Sequence, residues 1–256
     1  IHDLNIMNSR SGNQVPFSSI NFGTDISPEG RCVIKAFLEA VDNGVGNDNK
    51  TAIFPISIFK VKAGINRNSE DKNYDLFKFA QKVTSKRFFP NFINLDTAFN
   101  YNEKWDINDP NRWYYEPSTM GCRTRVYENR HGEKSSVGRG NASFTSINIV
   151  RLALKAMKSK KTIEERKEVF FAEMDKIMSL TANQLVERCE WQKTALAKQF
   201  PYVMKYLAEY NEGIKSSDKV ENIIKHFTLS IGFIGLAEAL VALTSTIDSE
   251  GNYVKG

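Results

Sequence analysis

The stretch KHFTLSIGFIGLAEALVAL, Lys225 to Leu243, decides how this chain is read. Its apolar part, IGFIGLAEALVAL, is about thirteen residues long and carries Glu238, short of the roughly eighteen that a membrane span needs. The run divides instead at its glycines: β-favouring residues up to Ile234, a turn marked by Gly235, then helix formers. Strand, glycine turn and helix is one half of a βα unit, and the same alternation recurs upstream. VPFSSINF (Val15–Phe22) reads as a strand after the loop SRSGNQ. A helix then starts at ISPEG, with Ser27 as N-cap and Pro28 in the first turn, and with Val33, Ile34, Phe37, Leu38 and Val41 as its apolar stripe. AIFPISIFKV is a strand-like run, DLFKFAQKVTSK a helix and FINLD a short strand. NASFTSINIV has strand propensity and leads into the helix RLALKAMK. Thr162 and Glu165 form a capping box at the head of a long helical pattern reaching about Ala197. Strands alternating with helices predict an α/β architecture with parallel strands.

Composition is that of a globular protein. Of 256 residues, 41% are hydrophobic and 25% charged, which supplies a sizeable core and argues against disorder. Neither a repeat nor a linker interrupts the chain, so a single domain over 1–256 is expected. The net charge is +5. The densest basic run, KAMKSKK, is followed at once by EERKE, mixed charge of the kind found on a solvated helix face. DNA is therefore not an expected partner, nor is a membrane, whereas a phosphorylated small molecule stays open. The first residue is Ile1 and no leader is recognised, so the chain reads as an internal piece of a longer cytoplasmic protein.

Chemistry-bearing motifs are sparse. GVGNDN follows a helix rather than a strand and lacks the third glycine of a dinucleotide loop. His2, His131 and His226 are isolated, and no HExxH or Ser–His–Asp grouping is seen. Three widely spaced cysteines, Cys32, Cys122 and Cys189, exclude a disulfide framework and a local zinc cluster. Cys32 and Cys189 fall in helical patterns at packing spacing and are expected to be buried and inert.

Cys122 stands apart. It lies in STMGCRTRV (Ser118–Val126), inside a polar, aromatic and loop-rich region from Asp96 to Gly140. Three roles compete for it: packing, a thiolate nucleophile, or a thiol that keeps its hydrogen. Neighbouring arginines would favour the thiolate. In an extended segment, however, Cys122, Thr124 and Val126 share one face and Arg123 and Arg125 the other, which favours the protonated thiol unless a tight turn at Gly121 breaks the alternation.

STMGCRTRV, together with SSVGRGNASFTSINI, SRSGNQVPFSSINFGTD (Ser9–Asp25) and SIGFIGLAEAL (Ser230–Leu240), resembles segments of the anaerobic, class III ribonucleoside-triphosphate reductases, glycyl radical enzymes, with wording nearest phage-encoded forms. The four segments occur in the family's order and span nearly the whole chain. The resemblance implies the central part of a ten-stranded α/β barrel. Cys122 then matches the cysteine that a glycyl radical oxidises to a thiyl, which takes the 3′ hydrogen of the ribose, with formate as the usual reductant. It further implies that Met120 and Gly121 shape the pocket beside the sulfur and that Asn141 hydrogen-bonds a ribose hydroxyl or formate. Ser9, Arg10, Gly12 and Gln14 would contact sugar or phosphates, and Gly232 and Gly235 would introduce a helix whose N-terminal amides face phosphate. Asn148 and Ser18 read equally well as structural strand residues. Implied partners are ribonucleoside triphosphates, nucleotide effectors, an activating enzyme using S-adenosylmethionine and an iron–sulfur cluster, and a second copy of the chain. The sequence departs from the family in lacking an Arg-Val-x-Gly-Tyr-like radical site, the paired zinc cysteines, a second active-site cysteine and a regulatory cone. The segment alone is thus expected to be catalytically incomplete. A different glycyl radical enzyme, or a non-catalytic nucleotide-binding or assembly fragment, are the alternative readings.

Overall fold

The computed structural model describes residues 1–9, 11, 12, 15–121, 124–160, 162–201, 204, 213–248, 250 and 252–254. It divides into two compact units, residues 1–137 and 138–256. Both are mixed α/β and both are built on parallel strands, as the alternation of patterns predicts.

In the first unit a short helix α1 (His2–Ile6) precedes β1 (Ser19–Phe22), α2 (Pro28–Asn43), β2 (Ile56–Val61), α3 (Tyr74–Arg87) and β3 (Asn91–Asn94). The strands form one sheet in the order β1–β2–β3, parallel throughout, with Asn21 beside Ile58 and Phe59 beside Phe92. β1 is shorter than the apolar run suggested, starting only at Ser19. The hydroxyl of Ser27 accepts from the Gly30 amide, fixing the start of α2 where its sequence places it. α2 buries Ile34, Leu38 and Val41, and α3 buries Leu76, Ala80 and Val83, all against Phe59 and Val61 of β2. Val33 is 66% exposed and Cys32 is exposed too, contrary to the expected stripe. Each helical residue turns about 100°, so both fall beside the Ile34–Leu38–Val41 line rather than on it. Arg31 forks onto Asp75 (2.8 and 3.1 Å), tying α2 to α3.

Every residue of β2 is buried, as a central parallel strand requires. Phe59 and Val61 face the helices. Ile56 and Ile58 pack on the opposite side with Phe54, Ile93 and Leu95. Lys60 shares this second side by alternation. Beyond β3, a 3₁₀ turn at Arg112–Tyr115 leads into β4 (Ser118–Met120) and β5 (Thr124–Val126), an antiparallel pair.

The second unit pairs β6 (Asn141–Asn148) with β7 (Thr228–Ile234) in parallel. Between them run α4 (Ile149–Ser159), α5 (Ile163–Lys193) and the single turn α6 (Glu221–Ile224). α7 (Leu236–Thr244) and the short pair β8 (Thr246–Ile247) and β9 (Tyr253–Val254) follow. The capping box at Thr162 and Glu165 is formed. The core gathers Ile147, Leu152, Ala153, Ala156, Phe170, Ala239 and Leu243. Beside it lies Arg166, fully buried, whose guanidinium donates to Lys160 O at the end of α4 (3.0 Å) and to Ser245 O at the end of α7. A cation placed on two helix C-termini meets carbonyls that the helices leave unpaired.

Gly235 is the N-cap of α7 with φ +82°, and a Cβ there would stand 2.1 Å from Val150 Cγ2. At Gly232 the nearest atom to an added Cβ is Ser146 Oγ at 3.3 Å. Gly235→Ala in the complete protein should therefore cost about 2 kcal/mol or more through strain and overpacking, whereas Gly232→Ala should cost less than about 1 kcal/mol. Urea unfolding midpoints compare the two directly.

Candidate active site

The β4–β5 hairpin lies in the loop-rich region that periodicity leaves unread. Its register is Ser118 with Val126, Thr119 with Arg125 and Met120 with Thr124. Three residues connect the strands, Gly121, Cys122 and Arg123. Cys122 and Arg123 lie outside the described residues, as do Arg10 and Gln14. Gly121 has φ +61° and no atom within 4 Å of an added Cβ, so the glycine serves the backbone of the turn rather than close packing.

Side chains from the face of the sheet opposite α2 and α3 hold this hairpin. The carboxamide of Asn21, on β1, donates to Thr119 O (3.0 Å) and accepts from the Thr119 amide (3.0 Å). Ser19 Oγ adds a longer bond to the same carbonyl (3.4 Å). The Thr119 hydroxyl, by contrast, is buried and makes no hydrogen bond among the described residues. The strand is thus gripped by its backbone.

Two residues before β4, Glu116 is 1% exposed. Its carboxylate takes Lys60 Nζ at 3.0 Å, the Thr24 hydroxyl at 3.1 Å and Trp105 Nε1 at 3.2 Å. Lys60 is itself only 6% exposed. This pair, with its two further donors, fastens the approach to β4 onto the C-terminal end of β2.

β5 is held by Arg125. Its Nε donates to Asn100 Oδ1 (2.7 Å), its two terminal nitrogens to Glu128 (2.7 and 2.9 Å), and one of them also to Phe99 O (2.6 Å). Its guanidinium lies over the rings of Phe99 and Tyr127. Val126, next in the strand, is buried on the other side. The Arg125 bonds hold the Glu128 carboxyl below its ordinary value. That tether is complete above the usual glutamate range and is lost as pH falls through the lowered value.

The remaining candidates are dispersed within their units. Met120 and Gly121 sit together at the end of β4. Ser9 and Gly12 precede β1, Gly12 with φ +91°. Asn141 opens β6, where its carboxamide, turned so that the nitrogen faces the backbone, donates to Ser143 O (2.9 Å) and Thr228 O (3.0 Å). It lines a cavity of about 190 Å³ with Ala142, Gln192, Ile223 and Phe227. Gly235 lies at the far end of the same strand pair, and the first turn of its helix already carries Glu238. Asn148 caps α4 by accepting from the Arg151 amide (3.1 Å). Cys189 is buried, which pushes its thiol pKa up, and Cys32 is exposed.

Sequence reading missed Asn21, Lys60, Glu116 and Arg125 as a set. A signal was present for two of them: a lysine inside the apolar run AIFPISIFKV, and a glutamate immediately before PSTMG. Among the described residues no group of three His, Cys, Asp or Glu is placed to hold a metal ion, and no helix is long and apolar enough to cross a membrane.

The family model for anaerobic ribonucleoside-triphosphate reductase matches residues 1–254. The chain is 30% identical over 267 aligned positions to the anaerobic ribonucleoside-triphosphate reductase of Salmonella typhimurium, covering 100% of this chain and 34% of the relative. It is 29% identical to the Escherichia coli protein of that name, over 94% of this chain and 32% of the relative. It is also 29% identical to that of Enterobacteria phage T4, over 97% and 40%. The chain thus spans about a third of the length of the relatives it matches.

Removing one member of the buried Lys60–Glu116 pair leaves the other charged, which typically costs about 3–5 kcal/mol. Lys60→Met alone should therefore destabilise the complete protein strongly. The double variant Lys60→Met/Glu116→Gln should regain most of the loss, measured as a double-mutant cycle in urea.

Proposed function

Because the chain belongs to the anaerobic ribonucleoside-triphosphate reductase family, we propose that it is the part of such an enzyme that presents Cys122 to the ribose of a ribonucleoside triphosphate. The observation that carries this reading is the anchored hairpin. The strands that flank Cys122 in sequence are fixed by Asn21 on one side and by Arg125 on the other, and the approach to them by Lys60 and Glu116. Hydrogen-atom transfer needs its partners held at about 3–3.5 Å, and a thiol on a tethered turn meets that need.

In this reading Cys122 is oxidised to a thiyl by a glycyl radical held outside these residues. The sulfur takes the hydrogen atom from ribose C3′, and the 2′-hydroxyl leaves with a proton as water. Formate, oxidised to carbon dioxide, supplies the two electrons, and the C3′ hydrogen is returned from the sulfur. The pairing of Arg125 supports a thiol over a thiolate. Its guanidinium is bound to Glu128, so it does not stand free to stabilise an anion on sulfur. Met120 and Gly121 would border the sulfur, and Asn141 would serve a ribose hydroxyl or formate. Ser9, Arg10, Gly12, Gln14, Gly232 and Gly235 would serve the sugar and phosphates. The two parallel sheets would be parts of one ten-stranded barrel, a single catalytic domain over 1–256. Effector nucleotides, the radical-generating activating enzyme, a second subunit and a cytoplasmic setting complete the proposal.

The test is Cys122→Ser in the complete protein, activated without oxygen and assayed for deoxyribonucleotide formation. A hydroxyl does not relay the hydrogen atom, so turnover should fall roughly 10³-fold or more. Turnover within tenfold of the unmodified protein would assign the chemistry elsewhere.

A further inference from the structure

Asn21 has no role in the reading above except as one of several anchors, yet its geometry is more specific than that. Strand β4 is three residues long and is paired with β5 on one edge. Thr119 sits between the two outer pairs of the hairpin, and both its N–H and its C=O are directed to Asn21 instead of to β5. A carboxamide carries a donor and an acceptor in one plane, like a peptide group. Asn21 therefore supplies the two bonds that a neighbouring strand would supply, and it does so with a side chain. Its own backbone is fixed by the parallel ladder, where it stands beside Ile58 in the buried strand β2.

We propose that Asn21 is a positioning residue for Cys122. It sets the height of Thr119 over the sheet and thereby the point from which Met120 and Gly121 lead the chain to the thiol. The inference rests on the assignment of Cys122 above. It differs from a general stabilising role in one respect. Asn21 is committed to backbone and is not offered to the nucleotide, so its loss should alter the transfer step and leave nucleotide binding alone.

Asn21→Asp keeps the shape and the acceptor but replaces the donor with an oxygen facing Thr119 O. In the complete, anaerobically activated protein this variant should lower kcat about 10- to 100-fold, the effect expected of a displacement near 1 Å at a reacting group. KM for the ribonucleoside triphosphate should stay within about twofold, because uniform binding is untouched. The glycyl radical signal after activation should match that of the unmodified protein in electron paramagnetic resonance. Should the aspartate variant not accumulate as soluble protein, Asn21→Ser, whose hydroxyl is too short to span both backbone groups, is read in the same way. A kcat within threefold of the unmodified protein would overturn the proposal, as would a KM that rises in step with the loss of kcat. Cys122→Ser run beside it separates the two ideas. If that variant is inactive while Asn21→Asp turns over normally, only the positioning role fails. If Cys122→Ser is active, the assignment of the thiol fails first.

Discussion

A lysine in a fully buried strand has to be answered by a negative charge, and in this protein that requirement organises the face of the sheet opposite α2 and α3. Lys60 reaches Glu116 at 3.0 Å, with both side chains all but closed to solvent. A pair of this kind is stable only when its remaining hydrogen-bonding capacity is met. Thr24, two residues after β1, and Trp105, in the connection after β3, meet it. The ion pair thereby pins three distant parts of the chain at one point, and the hairpin begins two residues later. A hydrophobic residue at position 60 could fill the strand equally well, but it would give the approach to β4 no defined place to end.

The hairpin itself is short and polar, and it buries little on its own account. Its order comes from directed bonds: a carboxamide on the backbone of Thr119, and a guanidinium whose nitrogens are bound to Asn100, Phe99 O and Glu128. Such bonds fix position more sharply than apolar contact does, because each loses strength steeply with misalignment. A turn proposed to present a reactive thiol needs that kind of definition. It also needs the neighbouring positive charge accounted for, and Glu128 does this for Arg125.

Local features were legible in the sequence because their causes are local. Ser27 caps α2, Thr162 and Glu165 close a capping box, and Gly235 separates β7 from α7, each through contacts within a few residues. The parallel sheets follow from alternating periods. What was not legible depends on separation or phase. Asn21 and Thr119 are 98 residues apart and Lys60 and Glu116 are 56 apart, so no pattern joins them. Hairpin strands of three residues are too short to show a period. Cys32 and Val33 looked like packing residues because they adjoin the true stripe, and a rotation of about 100° per residue was enough to expose them. Cys122 stood out in its motif, but the chemistry proposed for it came from likeness to a family, whereas the anchors of the hairpin come from the fold.

The Thr119 amide reports most directly on whether the hairpin is a fixed frame or a loop. Among the described residues its acceptor is the Asn21 side chain. Hydrogen exchange in the complete protein should find this amide protected to the degree of the β2 amides, since releasing it requires the β4–β1 contact to open. Exchange at the rate of an exposed loop would contradict the account, because a hairpin that opens so readily could not hold a thiol in place.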